Sequence, residues 1–232
     1  MGKDYVLFDW DNTVRKGYTL FSWIDYLCKN DVIESGFQND IAKVRLQYSM
    51  NSITHDQYAK IACEKYAEAL KGVSEKIVHK AVSEYIEFDK KALFSNIGFL
   101  FDIIHSNEVE IVVISGAPIL VLSNYQKEFL IDKIYAFKET VSDGVFTGEV
   151  DYNYGFDKKL KVQEIIHYYG RSPLMAFGDS VSDIPMLECA TYPFCIGNGL
   201  DGFRSIKITK DNRIPQRVLT AIERILDGRP AK

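Results

Sequence analysis

Three short apolar runs, each closed by polar side chains, constrain the fold of this chain more than any other feature. The runs occupy residues 5–8, 110–114 and 174–177. Runs of this length suit strands that are buried on both faces of a parallel sheet. The polar residues that follow them are Asp9, Asp11, Thr13, Ser115, Gly116, Asp179 and Asp183. Since parallel strands share one carboxyl edge, the sequence predicts that these residues meet there.

The segment between the first two runs has a helical pattern and no strand-like run. Its first apolar face repeats at intervals of three and four residues, in Leu20, Trp23, Ile24 and Leu27. Thr54 and Gln57 have the spacing of a capping box, which marks the start of a later helix. We therefore predict an all-helical insertion over residues 17–89, set into a core formed by residues 1–16 and 90–232.

Beyond this insertion, strand-like and helical stretches alternate, which is typical of a parallel sheet with right-handed crossovers. The predicted helices span residues 118–130, 158–169 and 214–227. The predicted strands span residues 134–137 and 192–196, with a hairpin that turns at Asp143-Gly144. The predicted fold class is α/β, a Rossmann-like core of parallel strands with an inserted helical cap.

Composition excludes several classes of function. The net charge is −4 and the pI about 5.6, which gives no electrostatic basis for a nucleic-acid partner. No long apolar stretch opens the chain or interrupts it, so we expect neither a signal peptide nor a membrane span. The four cysteines lack the spacing of metal ligands and indicate reduced thiols in a cytoplasmic protein. The sequence does not predict an oligomeric state.

The polar residues at the predicted sheet edge suit phosphate chemistry. Carboxylates packed together repel one another unless a cation is bound. Oxygen-only ligands of this kind suit Mg²⁺, which keeps water and substrate phosphate as its other ligands. A phosphate monoester carries about two negative charges at neutral pH, so a carboxylate approaches it only beside a metal, a lysine and backbone N–H groups.

Four motifs in order resemble those of the haloacid dehalogenase superfamily of phosphatases. Asp9-Trp-Asp-Asn-Thr13 resembles the first motif, DxDxT, and Ser115-Gly116 resembles the second. A lysine followed by Gly178-Asp-Ser-Val-Ser-Asp183 resembles the third and fourth. The helical insertion between the first two motifs, together with residues 143–148, is similar to the phosphoserine-phosphatase-like branch. The resemblance covers about residues 5–200.

This resemblance implies a role for each carboxylate. Asp9 would be the nucleophile that attacks phosphorus, and also a magnesium ligand. Asp11 would protonate the leaving alcohol and then activate water, while its backbone carbonyl is a second ligand. Asp179 would supply the third protein ligand, and Asp183 would orient it or a metal-bound water.

The remaining motif residues would contact the phosphate or support the loop. Ser115 and the N–H of Gly116 would hold phosphate oxygens, and Thr13 would brace the loop. Lys158 and Lys161 both qualify as the phosphate-contacting lysine: the first has the spacing found in phosphoserine phosphatases, and the second begins a KVxxI string shared by other members. The resemblance favours Lys158.

The residues expected to recognise the leaving group differ from those of phosphoserine phosphatases. Tyr18 occupies the position of their glutamate, and Lys65 or Tyr66 is expected at the position of their cap arginine. We therefore expect a substrate other than phosphoserine, such as a less polar or aromatic phosphate ester, or a cationic one resting on tyrosine faces. Among the aromatic residues of the insertion, Tyr18 is the strongest candidate to line the pocket.

The predicted function is a magnesium-dependent phosphatase that hydrolyses a small-molecule phosphate monoester through a phosphoaspartate on Asp9. One alternative is a phosphotransferase or mutase that uses the same intermediate. Another is a non-catalytic phosphate-binding regulatory module, which would be expected to have lost Asp9 or Asp11. The expected partner is the small-molecule ester alone, with no nucleic acid and no membrane.

Overall fold

The computed structural model of this chain has a seven-stranded sheet at its centre. It describes residues 3–156 and 158–229, with the side chains of His55 and Asp56 left aside, so the outermost residues of the predicted core lie outside the description. The strands are β1 (Tyr5–Phe8), β2 (Glu110–Pro118), β3 (Lys133–Ser142), β4 (Val145–Asn153), β5 (Met175–Gly178), β6 (Tyr192–Ile196) and β7 (Ser205–Ile206). Their order across the sheet is β4-β3-β2-β1-β5-β6-β7. Every pairing is parallel except that of β3 with β4.

Helices surround this sheet, and the first five of them precede β2. They are α1 (Thr19–Lys29), α2 (Phe37–Ser49), α3 (His55–Ala69), α4 (Glu75–Asp89), α5 (Ile97–Ser106), α6 (Ile119–Leu122), α7 (Lys158–Tyr169), α8 (Ile184–Cys189) and α9 (Gln216–Asp227). The predicted capping box is formed at the start of α3: the Gln57 N–H donates to Thr54 Oγ1 at 3.2 Å, and the Thr54 N–H donates to Gln57 Oε1 at 2.9 Å.

Both faces of the sheet are buried, which explains the continuous apolar run of β1. Val6 and Phe8 belong to the larger core, and Phe8 stacks on Phe177 of β5 with a centroid distance of 4.3 Å. Tyr5 and Leu7 point to the opposite face and pack in a second core with residues of α7 and α8. Alternate residues of a strand point to opposite faces, so a strand covered on both sides must be apolar throughout. The predicted α/β fold with a mainly parallel sheet is confirmed.

The helical segment α1–α4 is joined to the β3–β4 hairpin by main-chain hydrogen bonds. The Gly72 N–H donates to the Phe146 carbonyl at 2.9 Å, and the Phe146 N–H donates to the Val73 carbonyl at 3.0 Å. The Glu75 N–H donates to the Gly144 carbonyl at 2.9 Å. These bonds lie in the connection between α3 and α4, so they fix the position of both helices relative to the edge of the sheet.

One predicted helix is much shorter than expected. Residues 118–130 were expected to be helical, but α6 ends at Leu122 and turns continue to Leu130. The Asn124 side chain donates to the Leu120 carbonyl at 2.7 Å and so competes with the helical backbone for that acceptor. Leu130 has a φ of 52°, which ends the segment in the left-handed region.

Among the described residues, no helix combines the length and the apolar character that crossing a membrane requires.

Candidate active site

Lys158 joins two carboxylates at the carboxyl edge of the sheet. It is the first residue of α7, and its side chain is buried. Its Nζ donates to Oδ1 of Asp9 at 2.5 Å and to Oδ1 of Asp183 at 2.6 Å. Asp9 follows β1 directly, and its N–H donates to the Phe177 carbonyl of β5 at 2.9 Å. The lysine therefore brings together segments that lie far apart in the sequence.

Burial and mutual repulsion make the carboxyl groups of Asp9 and Asp179 reluctant to ionise. Burial raises the pKa of Asp9 well above its usual range; Asp183 and Asp179 raise it further, and Lys158 lowers it only in part. Burial, followed by the charge of Asp183, raises the pKa of Asp179 to about 7. For Lys158 burial lowers the pKa, but Asp183 and Asp9 outweigh this effect and the pKa is raised. The site thus has an ammonium that keeps its proton, beside carboxyl groups that ionise fully only when more positive charge is supplied.

Three carboxylates form a cluster with the chemistry of a magnesium site. One oxygen from each of Asp9, Asp179 and Asp183 lies within 4.8 Å of the others. Oδ2 of Asp183 is already an acceptor for the N–H groups of Asp179 and Ser180, at 3.0 and 2.9 Å, and for the Ser180 hydroxyl at 2.9 Å. Asp183 therefore fixes the loop that carries Asp179. Oxygen donors with more negative than positive charge fit a hard cation such as Mg²⁺.

Asp11 lies on the turn after β1 and faces the same cavity. Its Oδ1 accepts hydrogen bonds from the Thr19 N–H at 2.9 Å and the Thr19 hydroxyl at 2.5 Å, and it lies 3.7 Å from Nη1 of Arg15. Burial raises the pKa of Asp11, and Arg15 and Thr19 offset only part of that rise. The turn depends on Asn12, whose φ of 58° is a conformation that Asn adopts more readily than most residues. Asp11 is therefore held in one place by α1.

A buried ion pair lies behind Asp11. Nη2 of Arg15 is 3.0 Å from Oδ1 of Asp89, and both side chains are almost fully buried. Asp89 also accepts hydrogen bonds from the hydroxyls of Tyr85 at 2.8 Å and Tyr125 at 2.9 Å. Several hydrogen bonds offset the desolvation of this pair. No local sequence pattern predicts this pair, because Asp89 is far from Arg15 in the sequence.

Ser115 and Gly116 line the cavity opposite the carboxylates. The Ser115 Oγ accepts a hydrogen bond from the Ala117 N–H at 3.2 Å. Gly116 lies against Gly155, whose N–H donates to the Asn153 side chain at 2.9 Å. The segment after β4 therefore contributes to this part of the site, which the motif spacing did not predict.

Three predicted residues, Thr13, Lys161 and the fully buried Asp183, do not line the cavity. Thr13 is buried, and its hydroxyl has no hydrogen-bond partner among the residues that the structure describes. The Nζ of Lys161 lies 4.4 Å from the ring centroid of Tyr154 and 4.7 Å from that of Tyr135, and it pairs with Glu164. Lys161 lies one turn further along α7 than Lys158, and its ammonium contacts these rings and Glu164 instead of the carboxylates. Of the two candidate lysines, Lys158 and not Lys161 lies beside the carboxylates.

A cavity of about 520 Å³ lies between the sheet edge and the helices α1–α3. The core side contributes three carboxylates, the lysine and two residues near the end of β2: Asp9, Asp11, Ser115, Gly116, Lys158 and Asp179. The helical side contributes rings and one guanidinium: Tyr18, Phe21, Arg45, Tyr48 and Tyr58. A volume of this size is typical of small-molecule sites.

The basic residue of the helical side is Arg45, and not Lys65 or Tyr66. Lys65 lines a separate groove between α3 and β4. Tyr66 is fully buried, and its hydroxyl accepts a hydrogen bond from Nε1 of Trp23 at 2.8 Å. The expectation failed because it followed the order of residues in a related cap. The available signal was the spacing of Arg45 and Tyr48, which lie three apart and so share one face of α2.

The family comparison identifies the class of protein. Residues 6–188 match the model of the haloacid dehalogenase-like hydrolases, and this chain belongs to that family. The predicted superfamily is thereby confirmed, together with the predicted hydrolase class. A curated relative is the "Inhibition of morphological differentiation protein" of Streptomyces azureus, which is 28% identical over 202 residues, covering 82% of this chain and 70% of the relative.

Solved structures confirm the likeness in fold. A protein of unknown function from Bordetella pertussis Tohama I matches with a TM-score of 0.74 and 18% identity, over 89% of this chain and 99% of the other. A phosphoserine phosphatase, solved as an analogue of its phospho-aspartyl intermediate, matches with a TM-score of 0.60 and 19% identity, over 84% and 87%. Cytosolic 5′-nucleotidase IIIB bound to cytidine matches with a TM-score of 0.66 and 17% identity, over 97% and 86%.

Proposed function

We propose that this protein is a magnesium-dependent phosphatase that hydrolyses a small-molecule phosphate monoester through a phosphoaspartate on Asp9. The observation that carries the proposal is the buried ammonium of Lys158, bonded to Asp9 and Asp183, with Asp179 completing a cluster of carboxylates. A phosphoryl group needs a nucleophile, a cation and directed N–H groups at one point, and this sheet edge offers all three.

In the first half of the reaction, a carboxylate oxygen of Asp9 attacks phosphorus. The new bond joins phosphorus to Asp9, while the bond from phosphorus to the ester oxygen breaks. Asp11 transfers its proton to that oxygen, so the alcohol leaves neutral. The raised pKa of Asp11 favours the protonated form that this step needs. Lys158, the Ser115 hydroxyl and the Gly116 N–H hold the remaining phosphoryl oxygens.

In the second half, Asp11 acts as a base. It accepts a proton from a water molecule, whose oxygen attacks the phosphorus of the phosphoaspartate. The bond between phosphorus and Asp9 breaks, phosphate leaves, and Asp9 regains its carboxylate. Thr19 and Arg15 keep the Asp11 carboxylate in place during both proton transfers.

The residues present fit a bound Mg²⁺. Asp9, Asp179 and the backbone carbonyl of Asp11 would hold it, and Asp183 would orient the loop of Asp179. When bound, Mg²⁺ neutralises phosphate charge, so that an anionic carboxylate can approach phosphorus. The helices at residues 17–89 act in this proposal as a cap over a core of residues 1–16 and 90–232. A covered site favours a small ester over a folded protein as the substrate. The proposed location of the enzyme is the cytoplasm.

The test is release of inorganic phosphate from a panel of phosphate monoesters, with Mg²⁺ and with EDTA. We expect magnesium-dependent turnover by the wild type and by Asp102→Asn, an exposed control on α5, but none by Asp9→Asn. Adding an acceptor alcohol separates hydrolysis from transfer, since a phosphotransferase would phosphorylate it. A folded protein that binds Mg²⁺ but turns over no ester, or an Asp9→Asn variant with full activity, would sink the proposal.

A further inference from the structure

Four aromatic rings form a continuous ribbon along the helical side of the cavity. Tyr18 meets Phe21 edge-to-face at a centroid distance of 6.0 Å. Phe21 stacks on Tyr58 at 5.6 Å, and Tyr58 stacks on Tyr48 at 5.0 Å with an angle of only 7° between the rings. The four residues come from α1, α2, α3 and the loop before α1. The ribbon is therefore assembled from separate elements at one wall of the cavity.

These rings face the cavity, in contrast to the other aromatic side chains of the same helices. Tyr18 is 53% exposed and Tyr48 37%, and all four rings of the ribbon line the cavity. Trp23 and Tyr66 are fully buried and hydrogen-bonded to each other. Packing of the core accounts for that second pair. It does not account for a row of stacked rings beside open space.

Arg45 adds a positive charge to the same wall. Its guanidinium carbon lies 5.1 Å from the ring centroid of Phe21, within the range of a cation–π contact. No carboxylate of the described residues forms a salt bridge with Arg45, and the carboxylates that line the cavity all belong to its core side. A guanidinium donates hydrogen bonds in a planar fork, which suits a carboxylate or a carbonyl group. It also disfavours a cationic substrate at this wall.

From this arrangement we infer that the leaving alcohol of the substrate carries a flat aromatic ring with an anionic or carbonyl substituent. The ring packs against the wall formed by Tyr18, Phe21, Tyr58 and Tyr48, in which Tyr58 holds Phe21 and Tyr48 by stacking on both, and the substituent accepts hydrogen bonds from Arg45. A cavity of about 520 Å³ has room for a phosphate and a group of one or two rings. This inference rests on the proposed phosphatase function, because it concerns the alcohol of the same ester.

The first test compares esters that differ in one property. Benzyl phosphate and cyclohexylmethyl phosphate have similar leaving groups and similar size, but only the first is aromatic. We expect kcat/KM to be about threefold to tenfold higher for benzyl phosphate, which is the range that ring stacking provides. para-Carboxybenzyl phosphate adds a substituent for Arg45, and we expect a further increase of about tenfold for this charge-assisted contact.

Variants of the wall assign each preference to a residue. Tyr58→Leu removes the central ring, and we expect the ratio of benzyl to cyclohexylmethyl turnover to fall to about one. Arg45→Met keeps an unbranched side chain but removes the charge. We expect this variant to lose the gain that the para-carboxyl group provides and to keep the preference for benzyl over cyclohexylmethyl phosphate. The controls are Tyr168→Leu and Arg217→Met, two exposed positions outside the cavity, which should keep both ratios.

Binding of the corresponding phosphonates, which cannot be hydrolysed, separates this inference from the proposed function. Benzylphosphonate that binds more tightly than cyclohexylmethylphosphonate, with no ester turned over, would support the aromatic wall and refute the phosphatase. Turnover with equal kcat/KM for both esters would overturn the aromatic wall and leave the phosphatase standing. If Tyr58→Leu lowered kcat/KM by the same factor for all three esters, the aromatic wall would also be overturned. Such a result would mean that the substitution damages the structure and does not remove a contact to the substrate ring.

Discussion

Gly155 lies against Gly116 so closely that a Cβ on Gly155 would meet the Cα of Gly116 at 2.5 Å and its nitrogen at 2.7 Å. Both distances are far inside van der Waals contact, and the atoms belong to backbone, which cannot turn away as a side chain can. The Gly116 N–H is the group proposed to hold a phosphate oxygen. The segment after β4 thus sets the position of the phosphate loop.

Gly155→Ala is expected to displace that loop. Because a shift of about 1 Å in a positioned group can cost about a hundredfold in rate, we expect kcat/KM to fall by one to two orders of magnitude. Stability should fall by about 1–3 kcal/mol, the usual cost of overpacking. The matched control is Gly36→Ala, where a Cβ meets no atom within 4 Å. Unchanged kcat/KM in Gly155→Ala, measured by phosphate release, would contradict the positioning role.

Lys158→Met and Lys161→Met test which lysine serves the site. Loss of Lys158 leaves two buried carboxylates without their cation, so we expect turnover to vanish and the free energy of unfolding to fall by about 3–5 kcal/mol at neutral pH. Without the ammonium the pKa of Asp9 rises further. The stability defect should therefore shrink as the pH falls and the carboxyl groups become protonated. Lys161→Met should keep activity within about twofold, as a substitution outside the site does. Urea denaturation at two pH values measures the change in stability, and release of inorganic phosphate measures the activity of both variants.

Asp179→Asn should remove the stabilisation that Mg²⁺ gives to the folded protein. A saturating ligand at a hundred times its Kd stabilises by about 2.7 kcal/mol, which thermal unfolding detects readily. The metal-free pKa of Asp179 is about 7, so Mg²⁺ must displace a proton below that pH. The increase in Tm should therefore be larger at about pH 8 than at about pH 6. The control is Asp143→Asn, at an exposed position, which should show the same increase in Tm with Mg²⁺ as the wild type. A Tm increase that is equal at both pH values, or retained in Asp179→Asn, would contradict this assignment.

Glu139→Gln is expected to stabilise the protein at alkaline pH. The carboxyl group of Glu139 is buried, and the nearby Tyr66 hydroxyl offsets only part of the cost of ionising it there. Burial raises the pKa of Glu139 from 4.5 to about 7. A raised acid pKa means that stability is full below about pH 4.5 and is lost as the pH rises towards 7. The shift corresponds to roughly 3 kcal/mol above pH 7.

The comparison of Glu139→Gln with Glu149→Gln, an exposed glutamate on the same hairpin, isolates this effect. The advantage of Glu139→Gln over the wild type should be near zero at about pH 4.5 and grow to its full value at about pH 8. Denaturant unfolding curves at a series of pH values provide the measurement. A constant difference across the series would show that Glu139 does not titrate in the folded protein.

The sequence was most informative where local pattern and burial agree. Residues 5–8, 158–169 and 192–196 form the elements predicted for them, because a doubly covered strand must be apolar and a helix needs a periodic face. The position of Asp9 beside Asp179 also followed from the sequence, since consecutive motifs at strand ends share an edge in a parallel sheet.

What the sequence could not reveal depends on contacts between distant segments. The spacing of Arg45 and Tyr48 places both on one face of α2, but only the packing of α2 beside α3 brings that face to the cavity. The approach of Gly155 to Gly116 likewise depends on how the β3–β4 hairpin returns to the sheet edge. Lys158 and Lys161 lie one turn apart on the same helix, so the choice between them required the position of α7 relative to the sheet edge.

The main-chain hydrogen bonds between residues 72–75 and 144–146 have a consequence for how this protein can evolve. Bonds between backbone groups do not depend on which side chains surround them, so the spacing between the two walls of the cavity survives substitution on either wall. Mutations in α1–α3 can therefore change the shape and polarity of the wall that faces a leaving group, while the residues on the core side of the cavity keep their positions. A library of variants confined to these helices would sample new substrate specificities without changing the residues at the sheet edge.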